Sequence, residues 1–122
     1  MSGARRQLGA RGEAAAARWY EDAGYRVLAR NWRSGAGELD LVLEAPSGAV
    51  VVFCEVRTRT SGMFGTPLES VTVDKQRRLR RLAAAWLAGR EGRPRVEVRF
   101  DVASVTVGAS GRLVVEVVEE AF

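Results

Sequence analysis

The chain has 122 residues, 47% of them hydrophobic, and a formal net charge of +4, which gives room for one domain around one core. It contains no histidine and a single cysteine, Cys54. That excludes Ser-His-Asp triads, Cys-His pairs, histidine–zinc hydrolases and any internal disulfide, and leaves carboxylates, lysine, arginine, tyrosine or water for acid–base or metal chemistry.

The N-terminal stretch MSGARRQLGARGEAAAARWY has arginines but no apolar core and no cleavage pattern, so it does not read as a secretory signal. The longest apolar run, AVVVFC at 49–54, is too short to cross a bilayer. A cytoplasmic protein with no membrane partner is expected. Positive charge gathers in 1–33 and 75–99, almost all of it arginine, with Lys75 the single lysine. Codon bias accounts for most of such a composition, because Ala, Arg, Gly and Val are all abundant. The clustering also suits a polyanionic partner.

Residues 8–24 predict a helix, rich in alanine and closed by Gly24. The spacing of Ala15, Trp19 and Ala23 predicts its apolar face, and Glu13 lies in its first half. Residues 25–33 predict a strand, followed by a turn at SGAG. GELDLVLE and AVVVFCEVR then predict a hairpin around Pro46-Ser47-Gly48. Glu38 and Asp40 share one face of the first strand, and Phe53, Glu55 and Arg57 share one face of the second. A turn at Ser47-Gly48 sets Asp40 opposite Glu55, whereas one at Pro46-Ser47 sets Glu38 there. Both registers put the acids on one face, and a one-residue bulge would separate them.

Residues 58–70 have glycines, a proline and no periodicity, and predict a flexible loop. The clearest helix is 73–89, with Leu79, Leu82, Ala83, Trp86 and Leu87 as its apolar stripe, Asp74 as N-cap and Gly89 as C-cap. Its arginines lie around the rest of the first turns. A long strand is predicted over 95–107 and a last strand in RLVVEVVEEAF. Asp101 reads as structural. The order αβββαββ, without repeat or linker, predicts a single α/β domain over 1–122, a mixed β-sheet flanked by helices.

Glu55 follows a segment that should be buried on both faces. A buried carboxylate needs a cation, a proton or a metal. Arg57 satisfies it as a structural ion pair. Asp40 with Glu55 equally forms a hard-oxygen site for Mg²⁺ or Mn²⁺, which would let a chain without histidine hydrolyse a phosphodiester.

GELDLV, VFCEVRTR, FGTPLESVTVDKQRRL and RFDV, with the GExA at Gly12–Ala15, the RNWR at 30–33 and the closing EEAF, resemble the YraN-like family over nearly the whole chain. That family resembles the PD-(D/E)XK nuclease superfamily, in particular the archaeal Holliday-junction resolvases. The resemblance implies a restriction-endonuclease-like fold. It places Asp40 at the metal-binding aspartate, Glu55 at the glutamate of the E-x-K motif and Arg57 at its lysine. Glu13 resembles the extra acid that the first helix supplies in some members, and Lys75 and Gln76 match polar positions opening the second helix. Leu39 stands where a proline is common. Arg57 cannot serve as a general base, because its guanidinium keeps its proton.

The expectation is a metal-dependent nuclease, or a nuclease-derived protein, acting on DNA and able to act on branched DNA. Asp40 and Glu55 would hold Mg²⁺ or Mn²⁺. Arg57 would support the phosphate, and Glu13 and Glu38 would assist from the rim. Phosphate contacts are expected from Arg57, Arg59, Lys75, Gln76, Arg77, Arg78 and Arg81. A homodimer is implied by the resemblance only. Trp19, Trp32 and Trp86 carry rings able to stack on bases, although Trp19 and Trp86 read as core. Two other readings stand beside this one. The first is a non-catalytic nucleic-acid-binding module that keeps the fold. The second is a protein–protein adaptor.

Overall fold

In the computed structural model, residues 3–60, 68–90 and 95–122 are described. Helix α1 spans Gly3–Asp22 and is followed by strands β1 (Arg26–Ser34), β2 (Gly37–Glu44) and β3 (Val50–Thr60). A 3₁₀ turn at Leu68–Ser70 leads into α2 (Val73–Ala88), and β4 (Glu97–Val107) and β5 (Leu113–Val118) complete the chain. The five strands form one sheet in the order β1-β2-β3-β4-β5. Only the β3–β4 pair is parallel. Parallel neighbours need a long crossover, which here contains α2. The expected α/β class, a mixed sheet flanked by helices, is what forms.

The two helices cover opposite faces of the sheet. Leu79, Leu82, Ala83 and Trp86 of α2 pack on Leu39, Val42, Val51, Phe53, Phe100 and Val102. On the other face, Ala16, Ala17 and Tyr20 of α1 pack on Leu41, Leu43, Val52, Cys54, Ala103 and Val105. β3 is therefore buried on both sides, which its unbroken apolar run requires.

The apolar face of α1 differs from the one expected. Ala16, Ala17 and Tyr20 are buried, while Trp19 is 37% exposed. Two contacts far off in sequence set this rotation. A Cβ at Gly12 would collide with the side chain of Thr58 in β3, so the missing side chain is what lets the helix lie so close to the sheet. Tyr20 Oη donates to buried Asp101 at 2.6 Å. Arg99 completes that network with bonds of 2.9 and 3.0 Å to Asp101, which bears out the structural reading of Asp101.

The β2–β3 ladder pairs Leu41 with Cys54 and Val42 with Phe53, the register that brings Asp40 level with Glu55. Gly48 closes the turn with φ +76° and its N–H on Ala45 O; glycine takes that conformation without penalty. The N-cap of α2 is Thr72, whose hydroxyl accepts from Lys75 N, and Asp74 lies in the first turn instead. Of the expected loop, 58–60 continue β3 and 68–70 form the 3₁₀ turn; 61–67 lie outside the described residues.

Candidate active site

The acids meet where β2 and β3 part. The last pair of their ladder is Leu41–Cys54, and beyond it Asp40 accepts a hydrogen bond from Val56 N at 2.8 Å. The side chain thus replaces a backbone acceptor. In-and-out alternation also slips at this point, since Leu39 and Val42 both join the α2-side core. On β1, Asn31 has φ +49°, a left-handed conformation in which asparagine is several-fold enriched. The slip leaves the acids together.

Four carboxylates gather there from three elements. Glu13 comes from α1, brought in by the close approach at Gly12. Glu38 and Asp40 come from β2, and Glu55 from β3. Carboxylate oxygens of Glu13, Glu38 and Asp40 lie within 4.8 Å of one another. The Asn31 amide, with its nitrogen turned to the acids, donates to Glu38 Oε1 at 2.8 Å and Glu13 Oε2 at 2.5 Å. Arg33 pairs with Glu38 at 3.3 Å from the rim. Glu55 is only 6% exposed and faces two cations, Lys75 Nζ in direct contact and Arg57 at 3.4 Å. A second bond from Arg57, to Ser70 O at 3.0 Å, braces its guanidinium, while its Nε is buried without a partner.

The electrostatics follow from the crowding. Burial pushes the Asp40 carboxyl up to about 8, helped by the charge of Glu55 and a hydrogen bond shared with it; the Val56 amide pulls the other way. Glu13 is also raised, by burial first and then by Glu38 and Glu55. Asp40 therefore holds a proton near neutrality unless another cation replaces it. The donors are all carboxylate oxygens, the set that Mg²⁺ and Mn²⁺ prefer.

Two clefts open on the cluster and share Asp40, Val56 and Arg57. The cleft on the α1 side, about 460 Å³, adds Glu13, Thr58 and Arg59. That on the α2 side, about 340 Å³, adds Glu38, Glu55, Lys75 and Arg78. The site residues expected from the sequence are thus largely brought together. Three are not on either wall. Gln76 donates to Val71 O, Arg77 pairs with Asp74 at 3.8 Å, and Arg81 is exposed. Two features go beyond the sequence reading. Asn31 joins the acids, and Lys75 lies on Glu55 rather than on an outer phosphate-facing surface. A polar residue inside the RNWR segment was the available signal for the first.

A mixed sheet between two helices, with carboxylates and basic groups at the parting of two adjacent strands, defines an α/β domain of restriction-endonuclease-like fold. The chain belongs to the uncharacterised protein family UPF0102, whose model matches residues 12–105. That span includes all four acids and α2. A UPF0102 protein of Moorella thermoacetica is 50% identical over 123 residues, covering 100% of both chains. One from Symbiobacterium thermophilum is 48% identical over 117 residues, 96% of this chain and 97% of its own. A third, from Nocardia farcinica, is 46% identical over 120 residues, 98% and 92%. Among the described residues no helix is long and apolar enough to cross a membrane.

Proposed function

We propose that this protein is a metal-dependent nuclease that hydrolyses phosphodiesters in DNA. One observation carries the reading: the Asp40 carboxyl, pushed up to about 8, stands among three further acids at the floor of two open clefts. Asp40 and Glu55, with Glu13 and Glu38 at the rim, would hold Mg²⁺ or Mn²⁺. A metal there supplies positive charge against the reacting phosphate and makes water a better nucleophile. The chain's own groups do the rest. Asn31 holds Glu13 and Glu38 in place. Arg57, fixed by Ser70, offers a permanent charge to a phosphate oxygen but no base. Lys75 balances Glu55 and brings a second positive charge to the same cleft wall, and Arg59 and Arg78 extend the basic surface.

The test is cleavage of single-stranded, duplex and branched DNA with Mn²⁺, by the parent beside identically purified Asp40→Asn and Glu55→Gln. Cleavage by the parent alone is expected. Equal cleavage by all three would mean contamination and would refute the assignment. A second reading, the non-catalytic nucleic-acid-binding module, draws on the contacts of Lys75 and Arg57 with Glu55, which neutralise that acid without metal. DNA binding that ignores metal and survives Asp40→Asn, with no cleavage, would favour it.

A further inference from the structure

A third cavity lies away from the acids, between the β1 edge and the C-terminal half of α2. It measures about 350 Å³, and its walls include Arg26, Leu28, Trp32, Ala85, Trp86 and Arg90. Trp86 is 8% exposed and its ring stands edge-on to Phe53, at 5.8 Å and 82°. The core therefore fixes the orientation of that ring. The Arg90 guanidinium lies over its face, 4.6 Å from the centroid, so a group entering the cavity meets a planar guanidinium already stacked on that ring. Trp32 lines the cavity from β1 and packs only partly against the core. Leu28 and Ala85 contribute apolar wall and Arg90 contributes positive charge, while Arg26 is paired with Glu44 at 3.0 Å.

This cavity and the acid cleft lie along one helix. Lys75 and Arg78 line the cleft and Ala85 and Trp86 line the cavity. Seven residues from Arg78 to Ala85 span roughly 10 Å at helical rise. β1 joins them as well. Asn31 reaches the acids, and its neighbour Trp32 opens into the cavity. A half-buried tryptophan, Trp32, facing an arginine stacked on a second tryptophan makes the kind of platform that takes a base from a single strand. A base within a duplex must first be unpaired and flipped out of its stack to enter such a pocket, a cost that an unpaired base avoids.

We propose that the cavity between Trp32, Trp86 and Arg90 receives an unstacked nucleobase beside the phosphate held at the acid cleft. The substrate is then DNA with an unpaired nucleotide next to the scissile bond. This rests on the nuclease reading for its geometry, but the pocket has its own readout. Binding of a short oligothymidylate and of a blunt duplex of equal length is measured in EDTA, where no cleavage occurs. Trp32→Phe keeps an aromatic face, and Trp32→Leu keeps apolar bulk without one.

The parent should bind the single strand more tightly than the duplex. Trp32→Leu should lose roughly 5- to 150-fold for the single strand, the range expected for one stacked base, with duplex binding unchanged. Trp32→Phe should retain most of the affinity. Equal losses on both ligands, or no loss, would overturn the pocket. No nucleic-acid binding by the parent, with Mn²⁺ still raising its melting temperature, would overturn the pocket and leave the metal site standing. Loss of both responses would overturn the nuclease reading with it.

Discussion

Asp40→Asn should make the metal-free protein more stable at pH 8, although it removes a residue of the proposed active site. The carboxyl of Asp40 titrates near 8 in the fold against an ordinary 3.8. The folded state therefore keeps a proton that the unfolded chain releases. Stability from this group is complete below pH 4 and is lost as pH rises through 8. The limiting slope is about 1.4 kcal/mol per pH unit for one proton. Because Asp40 and Glu55 share a hydrogen bond, the proton belongs to the pair. From pH 6 to pH 8 the parent should lose about 2 kcal/mol, roughly 6–10 °C in melting temperature for a domain of this size. Asparagine is neutral at every pH, can donate to Glu55 as the protonated acid does, and can still accept from Val56 N. Its profile should be nearly flat over the same range. The assay is thermal melting followed by circular dichroism at pH 6, 7 and 8 in EDTA. Mn²⁺ should flatten the parent's profile by replacing the proton, and leave the variant's unchanged. Parallel profiles for parent and variant in EDTA would refute the reasoning.

Two further substitutions probe the scaffold. Tyr20→Phe removes the hydroxyl that donates to buried Asp101, and should cost about 1.5–3 kcal/mol, the range for a hydrogen bond to a charged group. Urea denaturation would read this, and an unchanged midpoint would disprove the contact. In Gly12→Ala, helix propensity alone would stabilise by about 1 kcal/mol. The collision with Thr58 should reverse the sign, to a net loss of about 1–3 kcal/mol. Because Glu13 is carried on the same turn, the Mn²⁺-induced shift should shrink with it. A more stable variant would show that the helix does not lie that close.

The β2–β3 register was open between turns at Ser47-Gly48 and at Pro46-Ser47, and the pairing of Leu41 with Cys54 selects the first. The strands themselves were readable, because the turn segment Pro46–Gly48 and the apolar run of β3 act locally. So was the shared face of Asp40 and Glu55. The rotation of α1 was not. An alanine-rich helix offers low contrast between faces, and the decision rests on Thr58 and Asp101, distant in sequence. The α2 cap illustrates the same limit at short range. Thr72 and Asp74 are both good capping types, and the backbone chose the one in extended conformation. Lys75 read as a helix residue aimed at solvent or phosphate, because nothing along the chain announces that the crossover sets its amine on Glu55. The slip in β2 that admits Asn31 is likewise a tertiary effect. It shows only in which core each residue joins, Leu39 and Val42 on the α2 side and Leu41 and Leu43 on the α1 side.

The parallel pairing of β3 with β4 has a consequence for biosynthesis. β3 is complete at Thr60, but its parallel neighbour ends at Val107. At cellular elongation rates the interval is on the order of seconds. For that time the ribosome carries a nascent chain with all four acids made and the central, most apolar strand open along one edge. Unpaired edges of that kind invite pairing with other chains. Early synthesis of α1, which can cover one face of β3 as soon as that strand emerges, shortens the exposure on one side only.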